Sequence, residues 1–420
     1  MIIVFALLAL AVLVTGNWYL WRRLFRDTTE RPGWVRRAGA ALIAGGWLMA
    51  IGALVGERTG APFWLQQVLA WPGFLWLALS IYLLLGVVAG EVVRPLLRRF
   101  LERRDRRRAP AEADVRRPAT VPAGAAPEEP REVDPGPDEL PRLVAAPSRR
   151  LFVSRVVGGT VAAAALGTVG YGTYGVLRGP GVKRVTVPLA KLPRAAHGYR
   201  IAVVSDIHLG PVLGRGFAQT VVDTINSTQP DLIAVVGDLV DGSVKDLGPA
   251  AAPLAQLRAR HGSFFVTGNH EYFSGAEQWV EEVRRLGIRP LENDRTELPY
   301  FDLAGVNDIA GESEGQGPDF AKALGDRDTA RACVLLAHQP VQIDDAVEHG
   351  VDLQLSGHTH GGQLWPGNLL AEAANPTVAG LERYGDTQLY VSRGAGAWGP
   401  PTRVGAPSDI TVIELASKQA

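Results

Sequence analysis

Residue types that bind metal ions stand at five places in the second half of the chain. Each follows a short apolar run, and imidazole, carboxylate and amide groups are ligands for a borderline divalent metal. In an open α/β sheet, residues just beyond the strand ends converge on one crevice. The sequence therefore predicts a single metal centre. Its candidate residues are Asp206, His208, Asp238, Asn269, His270, His338, His358 and His360.

Two pairs of these candidates are separated by one residue, in Asp206-x-His208 and His358-x-His360. Residues two apart on extended backbone point the same way, so each pair is expected to serve one ion or two adjacent ions. Neighbouring glycines predict tight turns that bring the backbone close to the ions and to an anionic substrate. These glycines are Gly237, Gly268, Gly357, Gly361 and Gly362. Two cations about 4 Å apart would hold a bridging water and neutralise charge on a phosphoryl group.

Short apolar runs alternate with helical stretches from about residue 182 onward. The runs that precede the candidate ligands are typical of central strands in a sheet covered on both faces. We predict helices over residues 215–227 and 276–286, the second because its apolar residues share one face. The later runs at residues 388–394 and 409–416 have no helix between them, so both are predicted to lie in the second sheet of a sandwich.

Composition argues against some classes of protein. The chain has 43 basic and 43 acidic residues, so its net charge gives no reason to expect nucleic acid as a partner. Cys333 is the only cysteine and lies in an apolar run, which excludes an intramolecular disulfide and predicts a buried thiol. The histidines outside the candidate set, His197, His261 and His349, lie beside glycines and are predicted to be solvated loop residues.

The first part of the chain predicts membrane-spanning helices. Apolar runs at residues 2–20, 38–55 and 63–89 meet or approach the roughly 20 residues that a spanning helix needs. Arginines follow the first and third runs, which places both flanks in the cytoplasm and the N-terminus outside. A cleaved signal peptide is the alternative for the first run, but the arginines follow it and a small-residue cleavage site is missing. The runs have no ionisable residue at their centres, which predicts an anchor and not a transporter.

A basic segment rich in proline and alanine separates these runs from a fourth. Residues 94–150 are predicted to be a disordered cytoplasmic linker. The fourth run, residues 151–178, would leave the cytoplasm and carry the rest of the chain outside. Residues 148–153 resemble a twin-arginine export signal, with an ordinary positive-inside flank as the equal alternative. The predicted domains are therefore a three-helix region (1–93), the linker, the fourth helix and a metal-binding domain (182–416).

The order of the motifs resembles one protein family. D-x-H, G-D-x-x-D, G-N-H-E, H and G-H-x-H follow one another as in the calcineurin-like metallophosphoesterases. The motif sequences are similar to those of the membrane-anchored bacterial branch of this family; they read "SDIHLG", "GNHEYF", "HQP", "SGHTHGGQ" and "YVSRGAG". The resemblance covers roughly residues 182–415. It implies an α/β fold, a four-layer αββα sandwich, here preceded by transmembrane α-helices.

The resemblance also implies a role for each candidate residue. One metal would be held by Asp206, His208 and His360, the other by Asn269, His338 and His358, and Asp238 would bridge both. His270 would contact the substrate phosphate and protonate or stabilise the leaving oxygen. The attacking group would be a hydroxide that bridges the metals, so no covalent enzyme intermediate is expected.

Two acidic residues beside the motifs leave alternatives open. Asp241 would either hydrogen-bond a group behind the metal ligands or form a turn. Glu271 would either orient His270 or cap a helix.

Four further residues have both a functional and a structural interpretation. Arg393 and Arg403 would suit phosphate binding, but surface or salt-bridge roles are favoured. Trp365 and Trp398 would suit an apolar substrate channel, but core packing is the commoner fate of tryptophan.

These features together predict a membrane-anchored, dinuclear metal-dependent phosphoesterase whose catalytic domain is extracytoplasmic. Its cofactors would be two ions of Mn, Fe, Zn or Co. A short tether after the fourth helix would keep the site near the bilayer, which suggests a lipid or envelope-precursor phosphoester as substrate. The expected partners are this substrate, the bilayer and, where the twin-arginine-like stretch is used, the twin-arginine export machinery. A non-catalytic membrane receptor or scaffold for a phosphorylated ligand is the competing hypothesis.

Overall fold

Four long helices form the first part of the protein. The computed structural model describes residues 2–113 and 149–419. The helices are α1 (Ile2–Trp21), α2 (Trp34–Thr59), α3 (Phe63–Ala113) and α4 (Arg149–Leu177). Within the described ranges, α2, α3 and α4 are long and apolar enough to cross a membrane. These three helices therefore have the length and composition of the predicted spans, and the crossing of a membrane by them and by α1 stays a prediction.

Helix α3 is longer than the sequence pattern predicts. It continues through residues 94–113, so the prediction of a disordered linker is wrong for this part. Leucine, arginine, glutamate and alanine make up most of this stretch and are good helix formers, although Pro95 and Pro110 also lie in it. A helix that already exists can also be extended without a new nucleation step. At the other end of the predicted linker, residues 149 and 150 belong to α4, and residues 114–148 lie outside the described residues.

Contacts within the chain define two units. The first comprises Met1–Ile43 and Leu83–Ala165, and the second comprises Ala44–Tyr82 and Leu166–Ala420. In the first unit, Gly86 of α3 lies so close to Val161 of α4 that a Cβ would come within 2.8 Å of the valine side chain. In the second unit, Gly73 of α3 lies equally close to the backbone of Ala50 in α2. Small residues at such positions let spanning helices approach each other.

The remainder of the second unit contains two six-stranded sheets. The strands are β1 (Gly181–Leu189), β2 (Tyr199–Val204), β3 (Leu232–Val236), β4 (Ser263–Val266), β5 (Arg289–Pro290), β6 (Asp294–Glu297), β7 (Asp302–Gly305), β8 (Cys333–Leu336), β9 (Leu353–Ser356), β10 (Gly380–Tyr384), β11 (Thr387–Val391) and β12 (Asp409–Ser417). The first sheet has the order β1-β12-β2-β3-β4-β5 and the second β10-β11-β9-β8-β7-β6. Strands β2 to β5 are parallel, as are β11, β9, β8 and β7.

Helices pack on these sheets. They are α5 (Arg215–Ser227), α6 (Val244–Ala251), α7 (Asn269–Ser274), α8 (Ala276–Arg285), α9 (Phe320–Leu324), α10 (Ile343–Glu348) and α11 (Gly367–Ala374). The helices predicted at residues 215–227 and 276–286 are confirmed as α5 and α8. The prediction that both late strands lie in the second sheet is wrong for β12, which pairs with β1 and β2 in the first. An apolar strand has the same pattern in either sheet, so the pattern alone does not select its partners.

Alternation along the central strands divides the apolar residues among three cores. In β2, Ile201 and Val203 face the second sheet and join Leu336 and Leu355 in a core between the sheets. Ala202 and Val204 of the same strand face outward and contact the apolar side of α5 and α8. On the other side, residues of β7, β8 and β11 pack against α9 and α10. These cores separate helix, sheet, sheet and helix, which confirms the predicted four-layer αββα sandwich.

Helix α4 leads directly into the first sheet. It ends at Leu177, and β1 begins at Gly181. Val176 belongs to the core between the first sheet and α5, and the Thr173 hydroxyl lies 2.8 Å from that of Thr402. The last turns of this helix are therefore packed into the sandwich and are more than a flexible tether.

Candidate metal centre and active site

The predicted metal-binding residues lie in loops just past the ends of five strands, drawn from both sheets. Asp206 and His208 follow β2, Asp238 follows β3, and Asn269 and His270 begin α7 after β4. His338 follows β8, and His358 and His360 follow β9. The structure brings all eight predicted residues together at this edge, as the distances below describe.

One group of potential ligands consists of Asp206, His208 and His360. The Nε2 atoms of the two histidines are 3.0 Å apart. Oδ1 of Asp206 lies 3.3 Å from Nε2 of His360 and 4.0 Å from Nε2 of His208. Three ligand atoms so close together, in buried side chains, can surround a single cation.

A second group contains His338, His358 and Asn269. Nδ1 of His358 lies 3.0 Å from Oδ1 of Asn269, and Nε2 of His338 lies 3.1 Å from Oδ2 of Asp238. The same Oδ2 atom is 3.8 Å from Nε2 of His208 in the first group. Asp238 therefore faces both groups, the position that a bridging carboxylate would take.

The surroundings of His338 are compatible with a cation in this space. Its Nδ1 lies 2.9 Å from the carbonyl oxygen of Val236, which can only accept, so Nδ1 carries a proton. Nε2 is buried without a hydrogen-bond partner and faces the carboxylate of Asp238. Burial opposes charge on the ring, but the negative charge of Asp238 raises the pKa of His338 well above its usual value. A divalent ion would satisfy both facing groups, so the residues fit a metal.

Backbone conformation around the site differs from the prediction. Asp206, His208, Asp238, His358 and His360 all have positive φ, between 48° and 71°. The D-x-H and H-x-H pairs are therefore not extended, because the chain turns sharply as it leaves each strand. His358 and His360 belong to different ligand groups, whereas Asp206 and His208 share one. Such residues cost about 1–3 kcal/mol each and persist at sites where the surroundings fix them.

Two glycines are required by the closeness of the loops. A Cβ at Gly268 would overlap the carboxylate of Asp238, and one at Gly357 would overlap Ser205 and the carboxylate of Asp206. These glycines let the loops pass close to Asp206 and Asp238, and close approach of the backbone to ions and to an anionic substrate stays a prediction.

Asp241 connects the two neighbouring histidines His208 and His270. Its Oδ1 accepts from Nδ1 of His208 at 2.8 Å and from Nδ1 of His270 at 2.7 Å. Of the two roles predicted for Asp241, these hydrogen bonds support the first, contact with a group behind the metal ligands. Burial by itself would lower the pKa of His270, but the hydrogen bond and negative charge of Asp241 raise it to about 9. His270 is therefore protonated at neutral pH, and its Nε2–H is free to donate.

Glu271 holds the loop that carries Asp238. Its buried carboxylate accepts from the backbone N–H groups of Asp238 at 3.0 Å, Leu239 at 2.8 Å and Gly268 at 2.6 Å. The bond from Gly268 caps α7, so the capping alternative is correct, and Glu271 fixes a neighbouring loop as well. Burial and the nearby charge of Asp238 raise the pKa of Glu271 to about 7.

Arg403 is a site residue that the sequence analysis missed. It is buried, and its guanidinium donates to the carbonyl oxygens of His360 at 3.0 Å and Gly396 at 2.7 Å. Nη2 also lies 3.1 Å from Nδ1 of His360. The prediction of a surface or salt-bridge role is wrong. No motif surrounds this arginine, and only the folding of its loop against His360 reveals its contact.

A cavity of about 520 Å³ opens beside the ligand groups. Asp238, Asn269, His270, His358 and His360 line its polar side. Its other walls are formed by Phe273, Trp398 and, from the last turns of α2, Leu54, Glu57 and Arg58.

Exposed aromatic side chains border this cavity. The rings of Phe273 and Trp398 lie 5.6 and 5.7 Å from that of His270, and the guanidinium of Arg58 lies 5.8 Å from the Phe273 ring. Trp398 is 45% exposed and Trp365 is 54% exposed, so the prediction of core packing is wrong for both. Each lies in a loop that follows a site motif, outside the cores.

Among the remaining predictions about single residues, those for Cys333 and His197 are confirmed and those for His261 and His349 are only partly correct. Cys333 is buried, as predicted, and burial raises its thiol pKa to about 12. His197 is exposed, but His261 stacks on Tyr199 and His349 packs near Phe320, so these two are only partly solvated.

Comparison with known proteins gives consistent matches. Residues 199–362 match the model of the calcineurin-like phosphoesterase family. The "Transmembrane protein with metallophosphoesterase domain" of Danio rerio is 41% identical over 265 residues, which cover 60% of each chain. An "Uncharacterized metallophosphoesterase" of Helicobacter pylori strain J99 is 38% identical over 65% of this chain and 74% of its own length. One from Aquifex aeolicus is 35% identical over 56% of this chain and 92% of its own length.

Proposed function

Because the chain belongs to the calcineurin-like phosphoesterases and is a metal-dependent phosphoester hydrolase, we propose that it uses a dinuclear mechanism. Its long apolar helices indicate a membrane protein. In this mechanism Asp206, His208 and His360 would hold one cation, and Asn269, His338 and His358 would hold the other. Asp238 would be shared by both. The observation that carries the proposal is the position of Asp238 between two separate ligand groups.

The two ions, of Mn, Fe, Zn or Co, would supply an activated water nucleophile and neutralise charge on the phosphoryl group. Nitrogen and oxygen ligands suit all four metals. The protein's own residues do the rest. Glu271 fixes the loop that carries the shared carboxylate by accepting from the backbone N–H of Asp238. The backbone N–H of His358 donates to the carboxylate of Asp206 and holds the first loop.

His270 is proposed as the proton donor. Its Nδ1 is bonded to Asp241, so the ring presents Nε2–H to the cavity. A proton held there can pass to the leaving oxygen as the phosphoester bond breaks. A water activated by the ions would attack the phosphorus directly, so no covalent enzyme intermediate is expected.

We further propose that the substrate is membrane-borne, as a lipid or envelope-precursor phosphoester is. The support is the composition of the cavity wall. Leu54, Glu57 and Arg58 come from a helix that is apolar enough to span a membrane, and Phe273 and Trp398 add exposed apolar surface. A site walled by a spanning helix lies where a lipid headgroup can reach it.

The proposed topology has four spanning helices, the cytoplasmic linker and an extracytoplasmic sandwich at residues 182–416. It rests on the arginines that flank α1, α3 and α4 on one side. A reporter enzyme fused after Ala420 should be active only outside the cytoplasm. Activity of a cytoplasmic reporter at the same position would reverse the assigned side.

The catalytic proposal is tested on purified full chain that has been stripped of metal and reloaded with each of the four ions. At least one ion should restore hydrolysis of an aryl phosphomonoester or diester, and Asp238→Ala should abolish it. Phosphate binding that depends on Asp238, without turnover of any ester, would favour the competing receptor function.

A further inference from the structure

Helix α11 has an apolar face without a protein partner among the described residues. The helix covers Gly367–Ala374, and none of its residues is buried. Leu369 is 59% exposed and Leu370 is 77% exposed, and Trp365 just before the helix is 54% exposed. Large apolar side chains grouped in this way mark a surface that binds another apolar phase.

The position of α11 indicates which phase covers it. The Tyr82 hydroxyl donates to the carbonyl oxygen of Trp365 at 2.9 Å. Tyr82 lies in the apolar stretch of α3, one of the helices able to span a membrane. Trp365 and the start of α11 therefore lie beside a spanning helix, at a level within its apolar stretch.

Other exposed aromatic residues occur on α4, in the part that belongs to the same unit. Tyr171 and Tyr174 lie in the last turns of this helix and are 79% and 62% exposed. Tryptophan and tyrosine collect at the level of lipid headgroups. These residues mark the bilayer surface on the side of the sandwich.

We propose that α11 inserts into the outer part of the bilayer on that side, with Trp365, Leu369 and Leu370 among the lipid chains. Glu372 is the only ionisable residue of the helix and is exposed. Interfacial helices bind through apolar burial and through attraction of basic residues to anionic lipid. Because α11 has no basic residue, its insertion depends on apolar burial and is independent of lipid charge.

Insertion of α11 would position the catalytic cavity at the membrane. Gln363, between His360 and the helix, donates to the carbonyl oxygen of Trp398 at 2.9 Å and accepts from its N–H at 3.1 Å. Gln363 thereby connects α11, the helix proposed to insert into the bilayer, with Trp398 in the cavity wall. This consequence rests on the proposed function, in which the cavity receives a membrane-borne phosphoester.

The test measures the depth of a spin label on the full chain in phosphatidylcholine nanodiscs. Cys333 is buried, so a cysteine introduced as Leu370→Cys can be labelled selectively. We expect the nitroxide to collide often with oxygen, which dissolves in lipid, and rarely with a water-soluble nickel chelate. Adding phosphatidylglycerol should leave the depth unchanged. Val347→Cys in α10, on an exposed position of the sandwich, is the matched control and should favour the nickel chelate.

The outcomes separate this inference from the catalytic one. A label at residue 370 that favours the nickel chelate, as the control does, overturns the insertion. A label protected from both reagents also overturns it, because a protein surface such as a second copy then covers α11. The label at Leu369→Cys should give the same depth. Insertion without any hydrolysis would refute the proposed function alone.

Discussion

The two ligand groups differ in the residues that support them. In the first, Asp206 provides a carboxylate of its own, His208 is held from behind by the side chain of Asp241, and the main-chain carbonyl of His360 is held by Arg403. In the second, Asn269 is neutral, and His338 is held by a main-chain carbonyl. A cation is attracted more strongly where more carboxylate charge faces it. The first group should therefore bind its ion more tightly, although both share Asp238.

Removing Asp238, which both groups share, should abolish metal binding in both groups and so remove the difference in their affinities. Asp238→Ala takes away the only carboxylate of the second group and opens the first, so we expect loss of both ions and hydrolysis at background. Metal content and steady-state rates measure this. Circular dichroism controls for folding, and a folded variant that keeps two ions would contradict the bridging position.

His270→Asn should reduce catalysis without releasing an ion from either ligand group. It removes a proton donor that is not a proposed ligand, so kcat should fall by about 10²–10⁴-fold while two ions remain. The same preparation is assayed for rate and for metal. Unchanged kcat would assign proton donation to another group.

Asp241→Asn should weaken the first group selectively. Partners behind a ligating histidine contribute about 10–100-fold in metal affinity, so the first ion should bind more weakly and the second should be little affected. The variant also removes the charge that raises the pKa of His270 to about 9. Since only protonated His270 donates, activity is lost as the pH rises through this pKa. The alkaline limb of the kcat/KM profile should therefore move to lower pH, toward the ordinary value of about 6.5, and an unmoved limb would contradict this role.

The smallest expected effect is the difference in affinity between the two ions of the wild-type protein. Titration of the wild-type protein with a chelator should release the ions in two steps, with affinities that differ by about tenfold, or roughly 1.4 kcal/mol. After the first step the ion should remain in the first group. If Asn269→Ala left this tight step intact and Asp206→Ala removed it, the assignment would hold; the reverse pattern would exchange the groups.

The sequence predicts which side chains gather at the site because strand ends restrict where these side chains can lie. Asp206 follows a strand of the first sheet and His358 a strand of the second, and the backbone N–H of His358 donates to the Asp206 carboxylate. The left-handed backbone at both residues has no comparable signal, since it results from contacts between loops.

The missed features depend on long-range packing. Arg403 acts through the loop that folds it against His360, and β12 is placed in the first sheet by pairing with β1 and β2. Neither partner can be identified from the local pattern of apolar residues. The exposure of Trp365 likewise depends on long-range contacts, since the Tyr82 hydroxyl of α3 donates to its carbonyl oxygen.

Counting the metal in purified full-length protein tests the central claim most directly. The account predicts two divalent ions per chain in the wild type, one in Asp206→Ala and one in Asn269→Ala. A wild-type protein that holds fewer than two ions at saturating metal, or whose single-group variants still hold two, would contradict it.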